Sequence, residues 1–200
     1  MVESRELIET YFAEMKTIVD LISRETLDRA IELLFGAWKG GNQVFICGNG
    51  GSASTASHFA CDLSKATSVD GKRRFKATSL NENAALLTAL VNDNGFANLF
   101  SEQLRNSFQK GDILVCISVH GGSGRDKAES WSQNLLKAIQ LAKDTGGRTI
   151  GFSGFDGGVM KEMVDVCVVV PFNSTPQVES FHLAIEHLIC LCLKHKIERA

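Results

Sequence analysis

The chain has 200 residues, 44% of them hydrophobic, and a formal net charge of −2. This length predicts one domain, or one domain with a helical extension, and the hydrophobic content is sufficient for a buried core. The small net charge gives no electrostatic case for nucleic acid or a membrane surface as a partner.

The first forty residues are predicted to be helical. Apolar residues recur at helical spacing from Ile8 to Ile22 and again from Leu27 to Phe35. A break is expected between Asp20 and Thr26, and Gly40-Gly41 ends the region. An amphipathic helix pair at this place either covers its own sheet or meets a partner subunit. The pattern alone leaves both open.

Five apolar runs beyond residue 41 predict β-strands, and helical patterns separate most of them. The expected strands are Val44–Cys47, Phe75–Leu80, Ile113–Ser118, Thr149–Ser153 and Val166–Pro171. The expected helices are His58–Lys65, Asn83–Asn92, Leu99–Phe108, Gln133–Thr145 and Val178–Ile197. This alternation is typical of an α/β fold with a doubly wound, five-stranded parallel sheet. We therefore expect a flavodoxin-like α/β core over residues 41–200 and a helical extension over residues 1–40.

Two glycine-serine loops are the most informative motifs. Gly48-Asn49-Gly50-Gly51-Ser52 follows the first predicted strand, and Ser118-Val119-His120-Gly121-Gly122-Ser123 follows the third. In the strand order 2-1-3-4-5, both loops lie at the topological switch point. Glycine loops leading into helices bind anions through backbone amides, so the pair predicts a phosphate crevice. Two ordinary strand-to-helix turns are the alternative.

Other phosphate-binding motifs are absent from the sequence. The first loop lacks the third glycine of a dinucleotide fingerprint, and Ser79-Leu80-Asn81 ends the second strand without an acidic residue. The lysine of a P-loop is also missing. Serine hydroxyls in both loops favour a phosphate monoester held mainly by neutral donors.

His58 and Asp62 lie four residues apart on the helix that the first loop begins. This spacing places them on one helix face, where they could chelate a divalent metal, act as a general acid/base pair or form a structural hydrogen bond. Glu179, His182, Glu186 and His187 follow on the last helix. His182 and His187 point to different faces, and Glu179 lies about 12 Å from His187 along a regular helix.

The compartment is inferred from the termini and the cysteines. Met1 to Glu6 does not have the features of a signal peptide, and the longest apolar run is too short to span a bilayer. The six cysteines form no Cys-x-x-Cys pair, and we expect them to be buried and reduced. The cytoplasm is the expected location.

The ordered set of motifs resembles the sugar isomerase (SIS) domain family, specifically its phosphoheptose isomerase branch. The similarity rests on both loops, His58, Asn92-Asp93-Asn94-Gly95-Phe96, Gly154-Phe155-Asp156-Gly157-Gly158 and the segment from Ser174 to His187. The resemblance covers nearly the whole chain. It implies a five-stranded parallel sheet, an aldose–ketose isomerase acting on sedoheptulose 7-phosphate, and a homotetramer with active sites between subunits that uses the helices of residues 1–40.

The resemblance also implies roles for individual residues. Asp62 would be the catalytic base and His187 the catalytic acid. Zinc, or another divalent metal, would bind His58, Asp62, Glu179 and His187. The phosphate and sugar would contact Asn49, Gly50, Gly51, Ser52, Asp93, Ser118, His120, Ser123 and Thr175.

Several positions depart from the family pattern. Asp62 replaces a glutamate and Glu179 a glutamine, and the added negative charge of Glu179 favours a divalent cation. Val119 and His120 replace two hydroxyl residues of the second loop. An insertion over residues 124–133 follows that loop, and we interpret it as an active-site lid; a surface excursion or subunit contact is the alternative.

Three functions therefore compete. The first is the phosphoheptose isomerase, in which a base removes the proton beside the carbonyl and an enediol forms. The second is a non-catalytic phosphosugar-binding protein, such as an adaptor that binds a replication initiator. The third is an isomerase for a different sugar phosphate. Retention of Asp62 and His187 favours an enzyme.

Overall fold

The computed structural model describes residues 3–122 and 132–200, which form a five-stranded parallel sheet between two layers of helices. The strands are β1 (Gln43–Gly48), β2 (Lys76–Ser79), β3 (Ile113–Ser118), β4 (Arg148–Gly154) and β5 (Val166–Val170). Their order is β2-β1-β3-β4-β5, and every pairing is parallel. The predicted doubly wound α/β sheet is thus confirmed, including its switch point between β1 and β3.

Eight α-helices connect and cover the strands in the described part of the chain. They are α1 (Ser4–Leu21), α2 (Arg24–Gly40), α3 (Gly51–Lys65), α4 (Ala84–Asn94), α5 (Leu99–Arg105), α6 (Gln133–Asp144), α7 (Met160–Met163) and α8 (Thr175–Glu198). A short 3₁₀ turn, Phe96–Asn98, links α4 to α5. None of these helices is both long enough and apolar enough to cross a membrane.

The strands bury both faces because their side chains alternate between two cores. One core joins α2, α3 and α8 to one sheet face and includes Ile46, Val115 and Phe152. The other joins α5 and α6 to the opposite face and includes Phe45 and Leu114. Neighbouring residues of one strand therefore enter different cores, which explains the continuous apolar runs in the sequence.

The amino-terminal helices behave differently from one another. Ser23 separates them and caps α2, because its hydroxyl accepts a hydrogen bond of 3.2 Å from the backbone N–H of Thr26. Helix α2 packs against its own sheet through residues such as Leu34 and Ala30. Helix α1 instead leaves a row of large apolar side chains exposed: Leu7, Ile8, Phe12, Val19 and Leu21.

Three predictions were wrong in detail. The helix expected over Asn83–Asn92 continues to Asn94 in the structure, and the chain turns only at Gly95, whose φ is 78°. Helix α8 begins at Thr175, three residues before the predicted start at Val178, because Pro176 fits the first turn of a helix. All six cysteines lie in the described residues and none forms a disulfide, but Cys61 is exposed rather than buried.

Candidate active site

The first glycine loop connects β1 to α3 and leaves the amino end of α3 open. Gly50 has φ 58° and ψ −126°, a conformation that favours glycine. The side chain of Asn81, two residues after the end of β2, holds the start of the loop through two hydrogen bonds. Its amide donates to the carbonyl of Gly48 (2.9 Å) and accepts from the N–H of Gly48 (3.1 Å). The first backbone amides of α3 are thereby held at the end of the sheet, where an anion can bind.

The second loop follows β3 directly beside the first, since Gly48 pairs with Ile117 in the sheet. Gly121 (φ 57°) and Gly122 (φ 85°) turn the chain, and the N–H of Gly122 donates to the Ser118 hydroxyl at 3.4 Å. The carbonyl of Gly121 accepts from the N–H of Met160 at 2.8 Å. The loop is therefore fixed at both of its ends.

A crevice of about 270 Å³ lies between the two loops. It is lined by Asn49, Gly50, Gly51, Ser52, Ile117, Ser118, Val119, His120, Ser132, Thr175 and Glu179. Four hydroxyl side chains and the backbone of the glycine loop thus line one small volume, together with the carboxylate of Glu179. Hydroxyls and backbone amides are the donors that bind a phosphate monoester.

Most residues predicted to contact the phosphate or sugar line this crevice. Asp93 does not: it is exposed on the last turn of α4 and accepts a hydrogen bond from the neighbouring Asn92. Ser123 and residues 124–131 of the predicted lid lie outside the described residues. Ser132, which was not among the predicted contacts, also lines the crevice. It lies immediately before α6 with φ 52°.

Asn134 holds the first loop from the side. Its buried amide and the amide of Asn49 exchange two hydrogen bonds of 2.9 and 3.1 Å. The same side-chain oxygen accepts from the N–H of Leu135 at 3.0 Å. Helix α6, which covers the other sheet face, is in this way tied to the glycine loop. An asparagine in the first turn of a helix is the one weak signal for this contact in the sequence.

A second group of polar side chains lies farther along α3 and α8. His58 and Asp62 come from α3, and Glu186 and His187 come from α8; one potential ligand atom of each lies within 4.8 Å of all the others. The two imidazole Nε2 atoms are 3.1 Å apart. His58 Nε2 lies 3.7 Å from Asp62 Oδ2, too far for the structural hydrogen bond considered for this pair.

Glu186 is the most unusual member of this group. It is fully buried, and neither carboxylate oxygen has a hydrogen-bond partner among the residues that the structure describes. Burial, and second the charge of Asp62, raises the pKa of Glu186 to about 8. A buried carboxylate without partners is rare in folded proteins, and it commonly marks a functional site.

Glu179 lies elsewhere, although it was predicted to complete the metal set. A Cβ on Gly51 would come within 2.4 Å of Glu179 Oε1, so this carboxylate lies against the glycine loop. Helix α8 is continuous from Thr175 to Glu198, and eight residues separate Glu179 from His187 by about 12 Å. In the structure Glu186, and not Glu179, lies in the group with His58, Asp62 and His187.

His182 belongs to the core rather than to the site. Its Nε2 lies 3.0 Å from the carbonyl oxygen of Ser153. A carbonyl only accepts, so this nitrogen carries the proton. Burial lowers the pKa of His182 to about 4, and the ring is therefore neutral at ordinary pH.

Comparison with known proteins agrees with this geometry. Residues 10–154 match the SIS domain family. The chain is 35% identical over 193 residues to the phosphoheptose isomerase of Aliarcobacter butzleri, a match that covers 96% of this chain and 97% of that protein. The structure of phosphoheptose isomerase GmhA from Neisseria gonorrhoeae has a TM-score of 0.85 at 30% identity, covering 96% of this chain and 100% of that one.

Another relative carries a different name. The chain is 39% identical over 174 residues to the lincomycin biosynthesis protein LmbN of Streptomyces lincolnensis. This match covers 85% of the chain, which spans only 62% of the length of LmbN.

Proposed function

The chain belongs to the SIS domain family, and we propose that it is a phosphoheptose isomerase interconverting sedoheptulose 7-phosphate and D-glycero-D-manno-heptose 7-phosphate. One observation carries the proposal: α3 and α8 each run from the anion crevice to the group of His58, Asp62, Glu186 and His187. Along α3 the separation is about 9 Å. It suits a substrate that has a phosphate at one end and its reacting carbons several bonds away.

The crevice would hold the phosphate and thereby fix the position of the sugar. Ser52, Ser118 and Thr175 offer hydroxyls, and the first amides of α3 offer N–H donors. His120 lines the same volume and can add a positive charge when protonated. Ser123 remains a predicted contact, and Ser132 joins the set. Binding energy from the phosphate positions the far end of the substrate for reaction.

Asp62 and His187 would perform the proton transfers. Asp62 is only partly buried, so its carboxylate can reach a bound sugar and remove the proton from the carbon beside the carbonyl. The electron pair left behind forms the enediol, and return of the proton to the neighbouring carbon gives the isomer. His187, about half exposed, would move the second proton between the two substrate oxygens.

A divalent cation, which we propose to be Zn²⁺, fits the same group of side chains. Two imidazoles and two carboxylates are donors that such ions accept, and the orphaned oxygens of Glu186 indicate a missing partner. When bound, the cation would polarise the substrate oxygens and stabilise their negative charge. His58 has no other evident role and would serve only as a ligand.

The test is direct. Purified protein supplied with Zn²⁺ should convert sedoheptulose 7-phosphate to an aldose phosphate, followed by NMR. In D₂O the product should carry deuterium at the carbon that receives the proton. Asp62→Asn should abolish turnover, whereas Cys61→Ser, a change at the exposed neighbouring residue, should not. Absence of turnover, or an active Asp62→Asn variant, would contradict the proposal.

An assay of a panel of five- to seven-carbon sugar phosphates distinguishes the other two functions, an isomerase for another sugar and a non-catalytic binding protein. Turnover of a different member would identify an isomerase for another sugar. This alternative is favoured by Val119 and His120, which line the crevice in place of hydroxyl residues. Tight phosphosugar binding without any turnover or bound metal would identify the non-catalytic binding protein.

We also propose a homotetramer with active sites between subunits. The support is the exposed apolar row of α1 together with exposed Leu183, Leu188 and Leu191 on α8, because large apolar patches mark protein interfaces. In this proposal the helices of residues 1–40 extend the α/β core of residues 41–200 and mediate assembly. Light scattering should give about four times the chain mass of 21.8 kDa, and Phe12→Ser should lower it.

The cytoplasm is the proposed location. Six free cysteines are typical of a reducing compartment, and Cys47 and Cys116 keep their sulfurs 3.5 Å apart without a disulfide. Fractionation of the native host should recover the protein with cytoplasmic markers. Recovery with an oxidising compartment would contradict this location.

A further inference from the structure

We propose that Glu186, rather than Glu179, is the fourth ligand of the divalent cation, giving a site of two imidazoles and two carboxylates. The inference rests on the metal of the proposed function but not on the identity of the sugar. It assigns to this chain a ligand set that differs from the one implied by its family resemblance.

The first argument is the burial of Glu186. Its side chain is inaccessible to solvent, and within residues 3–122 and 132–200 neither oxygen has a hydrogen-bond partner. The nearest cationic candidates are His58 Nε2 at 3.7 Å and His187 Nε2 at 3.8 Å, beyond hydrogen-bonding distance. Burying a carboxylate without a partner costs several kcal/mol, on the order of the stability of a whole domain. A cation between these groups removes that cost.

The second argument is the geometry of the four donor atoms. With metal–ligand distances of about 2.1 Å, the edges of a tetrahedral site are about 3.4 Å long. The imidazole nitrogens are 3.1 Å apart, and each lies 3.7 to 3.8 Å from Asp62 Oδ2 and Glu186 Oε1. Five of the six edges are thus within about 0.4 Å of the tetrahedral value. A single N–H···N hydrogen bond would explain the imidazole pair but not the two carboxylates.

The third argument is the position of Glu186 on α8. It precedes His187 directly and lies four residues after His182, whose buried ring faces β4. Residues four apart share a helix face, so Glu186 also points inward, here toward α3. Glu179 lies seven residues earlier on the same helix, about two turns, and contacts the loop at Gly51. Glu179 therefore lines the crevice, whereas Glu186 lies beside His58 in the second group of side chains.

Matched substitutions on one helix test this assignment. Metal-free protein would be titrated with Co²⁺, whose visible absorption reports the number and type of ligands. Calorimetry with Zn²⁺ would give the dissociation constant. Glu186→Gln should weaken binding by about 100-fold or more and change the Co²⁺ spectrum. Glu179→Gln should leave the affinity within about two-fold and the spectrum unchanged.

The opposite result would overturn the inference: a loss of affinity in Glu179→Gln with normal binding by Glu186→Gln. Failure of the wild-type protein to bind either metal would overturn it as well. Circular dichroism of each metal-free variant checks that the fold is kept. None of these readouts needs the sugar, so an inactive protein that binds Co²⁺ through Glu186 would refute the isomerase proposal alone.

Discussion

Gly121 tests how closely the second loop must approach its neighbour. Its φ is 57°, and a Cβ at this position would lie 1.9 Å from the carbonyl oxygen of Gly157. That oxygen belongs to the backbone, so it cannot rotate away as a side chain would. Gly121→Ala therefore forces the segment after β3 away from the segment after β4, and the Ser118 hydroxyl moves with it.

Gly71 provides a matched control. It has φ 76° in an exposed turn, and a Cβ there would meet nothing within 4 Å. In both variants alanine must adopt the left-handed conformation, which costs about 1 kcal/mol of folding stability. Both variants also have a less flexible unfolded chain, which favours the folded state equally in the two. Only Gly121→Ala adds the steric overlap of the new Cβ with the carbonyl oxygen of Gly157, which should cost about 2 kcal/mol of stability by analogy with overpacked cores. We expect losses of about 3 kcal/mol for Gly121→Ala and about 1 kcal/mol for Gly71→Ala.

Urea unfolding of both variants measures these losses, and kinetics with sugar phosphate measures the functional effect. Gly121→Ala should raise KM, because displacement of the loop separates the phosphate donors. Gly71→Ala should leave KM unchanged. Equal losses of stability in the two variants would refute the argument that close backbone approach requires glycine at position 121.

Two further predictions concern buried polar side chains. Asn134→Ala removes both hydrogen bonds to Asn49, so it should lower the free energy of unfolding in urea by about 2 kcal/mol. It should also raise KM more than it lowers kcat. An unchanged KM would show that the loop does not need this support. The pKa of His182 is about 4 in the folded protein, below its ordinary value of 6.5. Between these two pH values the unfolded chain therefore binds a proton that the folded chain does not. The free energy of unfolding should fall by about 3 kcal/mol as the pH drops from 6.5 to 4. His182→Gln should remove this part of the pH dependence of the unfolding free energy, and an identical pH profile in the variant would contradict the assignment.

The strands were predictable because burial on both sheet faces leaves a strong signal. The prediction Ile113–Ser118 has the bounds of β3 in the structure, and the other four strands differ from their predictions by one residue at one or both ends. The end of α4 was not predictable in the same way. Asparagine and glycine favour turns in general, but the exposed residues Asn92 to Asn94 continue α4, and the N–H of Gly95 still donates to the carbonyl of Val91.

The fold class, the two glycine-serine loops at one sheet edge, and the shared helix face of His58 and Asp62 were predictable from the sequence. These features depend on local periodicity and on the order of strands, which a linear pattern contains. Which acid of the last helix meets His58 was not predictable, because it depends on how two helices pack. Spacing shows which residues of α8 share a face, but the packing of α8 against α3 determines which face that is. It places Glu186 beside the imidazoles and leaves Glu179 at the glycine loop.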